Sequence, residues 1–374
     1  MARFFRWPFF EERHRAFAAG LAAWLKGSPS PPGLSEDTAV RRWVRELGNG
    51  GWLQPCTTHD VRALCIARQT LAQHDALADF AFAMQGLSAG PIVLFGTGEQ
   101  RKRYVEPLAR GATIGAFAIT EPQAGSDVSA LAARARREGD HYILSGIKTY
   151  ISNAGIADVY VVFARTSDDG ARGISAFLVD AGTTGLTALT DIETIAPHPI
   201  GTLELKEARI PAGARIGEEG QGFKIAMATL DVFRATVGAA AVGFALHAFE
   251  ETLAHVRSRR LFGRTLAQMQ LTQSRIAEMA TEIDAAALLV YRAAYERDTG
   301  GRVTREAAMA KWFATEAASR VADAAVQLLG AKGVTRGQAV EQIYRDVRAL
   351  RIYEGASEIQ QLIIARSILE QEEA

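Results

Sequence analysis

The sequence predicts an α+β protein in three successive segments: an N-terminal α-helical domain over 1–115, a middle antiparallel β-barrel or sandwich over 116–216, and a C-terminal bundle of four helices over 217–374. Two observations of pattern and one of bulk carry that expectation. Apolar residues recur every three or four positions before residue 110 and again after 222, the period of an amphipathic helix. Between these stretches lie short runs of aromatic and β-branched residues, separated by Gly, Asp and Asn turns with no helical pattern intervening, which suits antiparallel pairing. The chain has 374 residues, 48% hydrophobic and 22% charged, enough for a sizeable core and for two or three domains.

In chain order, FFEERHRAFAAGLAAWLK (9–26) reads as a helix that GSPSPPG (27–33) ends as a loop. A second helix runs from Glu36 to Leu47, and an Ala-rich one from about Asp60 to Leu87. GTGEQRKRYVEPLARG (96–111) gives one more, closed by Gly111. HYILSGIKTYIS (141–152), DVYVVFAR (158–165), GISAFLVD (173–180) and the partly alternating TLELKEARI (202–210) read as strands. After GEEGQG (217–222), long helices are expected at about 223–257, 266–298, 303–330 and 356–372.

Charge and cysteine content narrow the function. Lys+Arg and Asp+Glu are both 42, so no net basic field draws the chain to nucleic acid or to a membrane surface. Cys56 and Cys65 are too few for a disulfide framework and suit a reducing, cytoplasmic setting. No run of about 18 uncharged apolar residues is evident, so no membrane span is expected, and MARFFRWPFF lacks the apolar core of a signal peptide.

Most local motifs exclude chemistry. GTG (96–98) after PIVLF (91–95) lacks the third glycine of a dinucleotide fingerprint and the Lys-Ser/Thr of a P-loop, so it reads as a turn between helices. The histidines (14, 59, 74, 141, 198, 247, 255) show no HxxxH or HxH pair, and no metal site is expected. No GxSxG elbow is present and neither cysteine has a base nearby in sequence. Two segments differ. TEPQAGSD (120–127) offers hydroxyls and backbone N–H groups that suit a polar ring or a phosphate, or else forms a plain loop. In YRDVRALRIYEGASEIQQLIIAR (344–366), Glu354 precedes Gly355 at a helix break; it is either a carboxylate facing a cleft, fit for general-base work, or part of a helix start with Ser357 as N-cap.

At these residues the chain resembles the acyl-CoA dehydrogenase family over nearly its whole length. FAITEPQAGSDVSAL (117–131), GIKTYISNAG (146–155), RRLFG (259–263), QLLGAKG (327–333) and RDVRALRIYEGASEIQQLIIAR (345–366) are similar to its blocks, in order. The resemblance implies non-covalent FAD between barrel and C-terminal helices. Phe117, Ile119, Thr120, Gly125 and Ser126 would line flavin and thioester, with Tyr150, Ile151 and Ser152 against the ring. Arg259, Phe262, Gln270, Gln327 and Gly330 match positions that hold the pyrophosphate and adenosine, partly of a neighbouring subunit, which implies a homo-oligomer, dimer or tetramer. Ala356 and Glu358 fall at cofactor positions, and Ser126, Asp231, Arg234 and Gly355 at substrate positions.

Glu354 matches the family's catalytic base, while the other place some relatives use is Phe233 here, which cannot serve. The implied activity is α,β-dehydrogenation of an acyl-CoA, with electrons passing to an acceptor such as an electron-transfer flavoprotein. Rival expectations keep the fold: a dehydrogenase of a carrier-protein-tethered acyl group, a flavin monooxygenase or oxidase, or a non-catalytic flavin scaffold. Departures from the pattern are Ala331 for the second Gly of the FAD loop, Ala356 for a Thr, and APHPIGTL (196–203) with His198. Phe80, Phe82 and Met84 suggest a short or branched acyl group.

Overall fold

The computed structural model describes residues 4–28, 33–58, 60–190 and 192–370; His59 and part of the 27–33 loop fall outside them. Helices α1 (Glu12–Leu25), α2 (Glu36–Asn49), α3 (Pro55–Thr58), α4 (Val61–His74), α5 (Ala76–Phe95), α6 (Gly98–Gln100) and α7 (Glu106–Ala109) open the chain. Ser35 caps α2 by accepting from the Thr38 N–H, and α2 buries Ala39, Val40, Trp43, Val44 and Leu47 along one stripe. The helix expected over 60–87 is two helices. Asp75 leaves helical geometry (φ −157°, ψ 129°), its N–H closes α4 on Leu71 O, and its carboxylate takes the Ala78 N–H of α5. PIVLF is the last turn of α5, and Thr97 caps α6, so GTG is the turn between helices.

Strands β1 (Gly115–Ala118), β2 (Arg134–Glu138), β3 (His141–Ser152), β4 (Val159–Arg165), β5 (Ile174–Asp180), β6 (Leu186–Leu189), β7 (Ile200–Pro211) and β8 (Arg215–Ile216) form one sheet, ordered β6-β7-β3-β2-β4-β5-β8 with β1 on β4. The antiparallel expectation needs correction at two pairings, since β1 and the start of β2 both run parallel to β4. Parallel strands need a crossover, and the segment between β1 and β4 supplies it. β1, β2 and β6, of four or five residues each, are too short to stand out by periodicity.

Then follow α8 (Gly222–Ser258), β9 (Arg260–Leu261), β10 (Arg264–Thr265), α9 (Gln270–Asp298), α10 (Thr304–Leu329), α11 (Ala339–Leu350) and α12 (Ser357–Leu369). The four-helix expectation thus gains α11, a 12-residue helix that the sequence showed only as the pattern ending before Glu354.

The chain packs as two compact units that interleave in sequence. One comprises Met1–Ser30, Asp60–Asp79 and Asp231–Ala374; the other comprises Pro31–His59 and Phe80–Leu230. In the first, Phe10 meets the Tyr291 ring edge-on at 4.8 Å, and Tyr291 donates to Gln69 Oε1 (2.7 Å). Helices α4 and α8 approach so closely that a Cβ on Gly243 would lie 2.3 Å from the Gln69 carbonyl oxygen. The Asp298 carboxylate accepts the first N–H groups of α4, from Val61 (2.8 Å) and Arg62 (3.1 Å), and the Arg62 Nε (2.7 Å). In the second unit, Val159, Val161, Phe163, Ile174, Ala176 and Leu178 form the sheet's core with Ile92 and Ile225.

Among the described residues, two helices, α5 and α8, are long and apolar enough to cross a membrane, which the sequence reading had not expected. Their most apolar windows are 78% and 83% buried within the protein, as core helices are.

Candidate active site

The 120–127 loop is anchored from beneath. The buried Glu121 carboxylate accepts the Ala132 (2.5 Å) and Ala133 (2.9 Å) N–H groups and the Lys148 Nζ (2.6 Å). Lys148, wholly buried in the middle of β3, also donates to Ile119 O (3.1 Å), and the Thr149 N–H donates to Thr120 O (3.0 Å). Burial lowers the Lys148 ammonium to about 8 against the pull of Glu121. The β3–β7 register then slips between Lys148 and Ile151. At that bulge Tyr150 takes φ 55° and stands 62% exposed while Ile151 is buried, so the extra residue re-aims one side chain out of the sheet. Phe117, Ile119 and Thr120 are half-buried, Gly125 and Ser126 exposed, and Ser152 half-buried. The hydroxyls of Thr120, Ser126 and Ser152 have no hydrogen-bond partner among the described residues.

The helix break expected at Glu354 is a turn between α11 and α12 in which Glu354 (φ 53°) and Gly355 (φ 90°) are both left-handed. A non-glycine residue there costs roughly 1–2 kcal/mol, so the surroundings must impose it. They do so from α10 and α12. Glu316 Oε1 accepts both Arg351 Nε (2.8 Å) and Ser357 Oγ (2.6 Å), bracketing the turn, and the Ser357 N–H donates to Arg351 O (3.0 Å). Inside it, Lys311 Nζ and Gln360 Nε2 (2.9 Å) both donate to the Gly355 carbonyl. Ser357 is therefore not the N-cap: Ala356 holds that place with no side chain to cap it.

The Glu354 side chain does no structural bonding. Oε2 is fully buried without a hydrogen-bond partner, and the backbone N–H has no acceptor among the described residues. Burial raises the carboxyl above the usual glutamate value, while Arg68, Lys311 and Arg234 pull it down and Asp79 pushes it up. Arg68 is buried and held by Asp79 through two bonds (Nε–Oδ1 2.9 Å, Nη2–Oδ2 2.8 Å). Arg234, buried on α8, donates to Asp231 Oδ1 (2.6 Å), leaves its Nε unpartnered, and is lowered by burial; Asp231 Oδ2 accepts from Thr304 (2.9 Å).

The remaining expected positions lie at the surface of the same unit. Arg259 follows α8, and Phe262 and Gly263 form the two-residue loop of the β9–β10 hairpin. Both have positive φ (51° and 77°), as such a tight hairpin requires, and the Phe262 ring is 95% exposed. Gln270 begins α9, Gln327 and Gly330 (φ 60°) end α10, and Glu358 lies in the first turn of α12; all four are exposed.

Family models describe this chain throughout: the N-terminal domain of acyl-CoA dehydrogenases matches residues 12–112, the middle domain 116–208 and the C-terminal domain 220–369. It belongs to the acyl-CoA dehydrogenase family. A 3-(aryl)acrylate reductase of Clostridium sporogenes is 42% identical over 75% of each chain. A cyclohexane-1-carbonyl-CoA dehydrogenase of Geobacter metallireducens is 38% identical over 82% of each. Among solved structures, a chain from the electron transferring flavoprotein of Acidaminococcus fermentans superposes with TM-score 0.92, at 34% identity over 96% of this chain and 98% of that one. A glutaryl-CoA dehydrogenase of Mycobacterium smegmatis in complex with FADH2 gives TM-score 0.89, at 28% identity over 96% and 95%.

The acyl-CoA dehydrogenases are FAD flavoproteins, and the residues here fit such a group. A flavin needs an apolar face and polar edge contacts. Phe117, Ile119 and Tyr150 would supply the first and the unpartnered hydroxyls of Thr120, Ser126 and Ser152 the second, whereas Ile151, expected with them, is buried in the sheet.

Sequence reasoning missed Arg68, Asp79, Glu121, Lys148, Lys311 and Gln360. One signal was available: Asp79 is the sole charge in ALADFAFAMQGLSAGPIVLF, and a lone charge on a buried helix needs a partner. Around the expected acyl pocket, Phe82 is wholly buried and Phe80 lies against His198, with ring centroids 4.8 Å apart. His198 donates from Nδ1 to Ala196 O (2.8 Å) and burial lowers it, so it is a neutral loop histidine. Gln85 is spent on Leu108, Thr113 and Gly115 backbone groups. One cluster of potential metal ligands, His14, Asp60 and Asp298, comes from positions far apart in sequence. Its carboxylates already serve Arg13, Arg62 and the start of α4.

Proposed function

We propose that this chain oxidises a saturated acyl-CoA to the trans-2-enoyl thioester, with Glu354 as the base that removes the α-proton. The observation that carries this is Oε2 of Glu354: a buried carboxylate oxygen with no partner, on a backbone held in a left-handed turn. A buried, unpaired carboxylate oxygen is costly to fold around, and a pKa raised by burial suits proton abstraction. The free Glu354 N–H is a donor for the thioester carbonyl as enolate character develops, so proton removal and charge stabilisation come from one residue. FAD, when bound, supplies the acceptor for the hydride lost from Cβ. Phe117, Ile119, Thr120, Ser126, Tyr150 and Ser152 hold it in this reading, with Arg259, Phe262, Gln270, Gln327, Gly330, Ala356 and Glu358 serving its phosphates and adenosine. Their exposure on the hairpin and at the end of α10 suits contact with the cofactor of a second subunit. Asp231 and Arg234 meet the CoA arm, and an electron-transfer flavoprotein takes the electrons, as the likeness to the Acidaminococcus structure supports.

The test is an anaerobic titration of purified protein with short, branched and medium acyl-CoA thioesters, following visible absorbance. Bleaching by one of them is expected. Bound flavin that only a carrier-tethered acyl group or none bleaches shifts the assignment to a carrier-protein dehydrogenase or an oxygen-using relative.

A further inference from the structure

The base sits among more cations than its chemistry uses. Arg68 from α4, Arg234 from α8 and Lys311 from α10 act on the Glu354 carboxylate, opposed by Asp79 from the start of α5. Arg68 and Arg234 each have a private carboxylate, in Asp79 and Asp231. Lys311 differs. It is wholly buried, and its ammonium donates to a neutral acceptor, the Gly355 carbonyl. Glu316 and Glu358 act on it only through space, and Glu316 is engaged with Arg351 and Ser357.

We propose that Lys311 is a positioning residue for the base, its ammonium clamping the Gly355 carbonyl so that the left-handed Glu354 turn holds both the carboxylate and the Glu354 N–H in place. This rests on the assignment of Glu354 as base. The geometry favours it over a role in general stability, because the carbonyl that Lys311 grips belongs to the Gly355–Ala356 peptide, which closes the left-handed Glu354–Gly355 pair. Gln360 grips the same carbonyl from α12, so α10 and α12 strap one peptide from two sides. Burial lowers the Lys311 ammonium to about 8 while Glu354 pulls it back up, in keeping with a cation retained for that carboxylate.

The experiment uses the flavin-loaded enzyme and stopped-flow bleaching by an acyl-CoA that reduces the wild type, across pH, for Lys311→Met, Lys311→Arg, Lys311→Gln and Glu354→Gln. Lys311→Met is expected to slow limiting reduction per bound flavin about ten- to a hundredfold, the scale of a misplaced catalytic group, with half-saturation nearly unchanged. Its rising pH limb moves alkaline, because a cation that lowered the carboxyl is gone. Lys311→Arg recovers most of the rate. Should Lys311→Met not fold, Lys311→Gln keeps a donor without charge and is expected to show the same alkaline limb. A wild-type rate and limb in Lys311→Met, or in Lys311→Gln where Met does not fold, overturns the proposal while leaving Glu354 as base. Reduction that survives in Glu354→Gln overturns the base assignment and the proposal together.

Discussion

Two buried Lys–Glu arrangements, one in each unit, use the same residue types to opposite ends. At Glu121 every demand is met: two backbone N–H groups and the Lys148 ammonium converge on one carboxylate. At Glu354 the lysine turns its hydrogen bond to a backbone carbonyl, and the carboxylate's Oε2 is left unpartnered. A satisfied carboxylate is bound to its place, whereas an unsatisfied one in low dielectric has a strong reason to accept a proton. The distinction between scaffold and reagent thus lies in where the donors point, not in burial or in the presence of a nearby lysine.

Glu354→Gln is the largest test of that contrast. It should retain flavin and lose about 10²- to 10⁴-fold in the rate of reduction by substrate, the usual span of general-base catalysis, read by anaerobic stopped flow. Glu121→Ala should act on stability instead. Stranding the buried Lys148 is expected to cost about 3–5 kcal/mol in urea unfolding, and Glu121→Leu with Lys148→Met should recover much of it. Recovery absent in the double variant would show that the backbone N–H bonds, rather than the ion pair, dominate.

A smaller effect is pH-dependent. Because the folded pKa of Glu354 is raised, the folded state holds its proton more tightly than the unfolded chain. Stability on this account is full below the ordinary glutamate value of ~4.3 and falls as pH rises to the folded value, at up to about 1.4 kcal/mol per pH unit. Glu354→Gln should flatten that slope in urea titrations at stepped pH. Smallest is Ala356→Thr, which places a capping oxygen at the uncapped start of α12 (φ −56°, ψ 161°) and should add about 0.5–1 kcal/mol, seen as a modest rise in Tm.

The sequence carried the succession of helical, β and helical segments because each long element shows its period over several turns. The C-terminal helices near 223–257 and 303–330 are found at Gly222–Ser258 and Thr304–Leu329. What it hid was decided by single residues or long separations. Asp75 splits one Ala-rich stretch through a side-chain cap, and β1 owes its place to pairing with β4 some forty residues later. Glu354 and the 120–127 loop are singled out by local composition, which still leaves a helix start and a plain loop open beside the functional readings. Lys311 and Arg68 are not, since each is an ordinary long cation on a helix until the fold brings the Glu354 turn to it.

The interleaving of the two units sets a condition on how the chain is made. Arg62 opens α4, but the carboxylate that accepts from its Nε and from the first two amides of that helix belongs to Asp298, 236 residues later. At a synthesis rate of roughly 5–20 residues per second, α4 waits on the order of 10–50 s on the ribosome before its anchor exists. Through that interval α4, which will carry Arg68 to the Glu354 turn, lacks its anchor, and the second unit, whose residues are all made by Leu230, can close before the first is complete. The helix ending at Asp298 therefore marks the earliest moment at which α4 can be anchored, and the unit holding Glu354 is complete only after that residue is made.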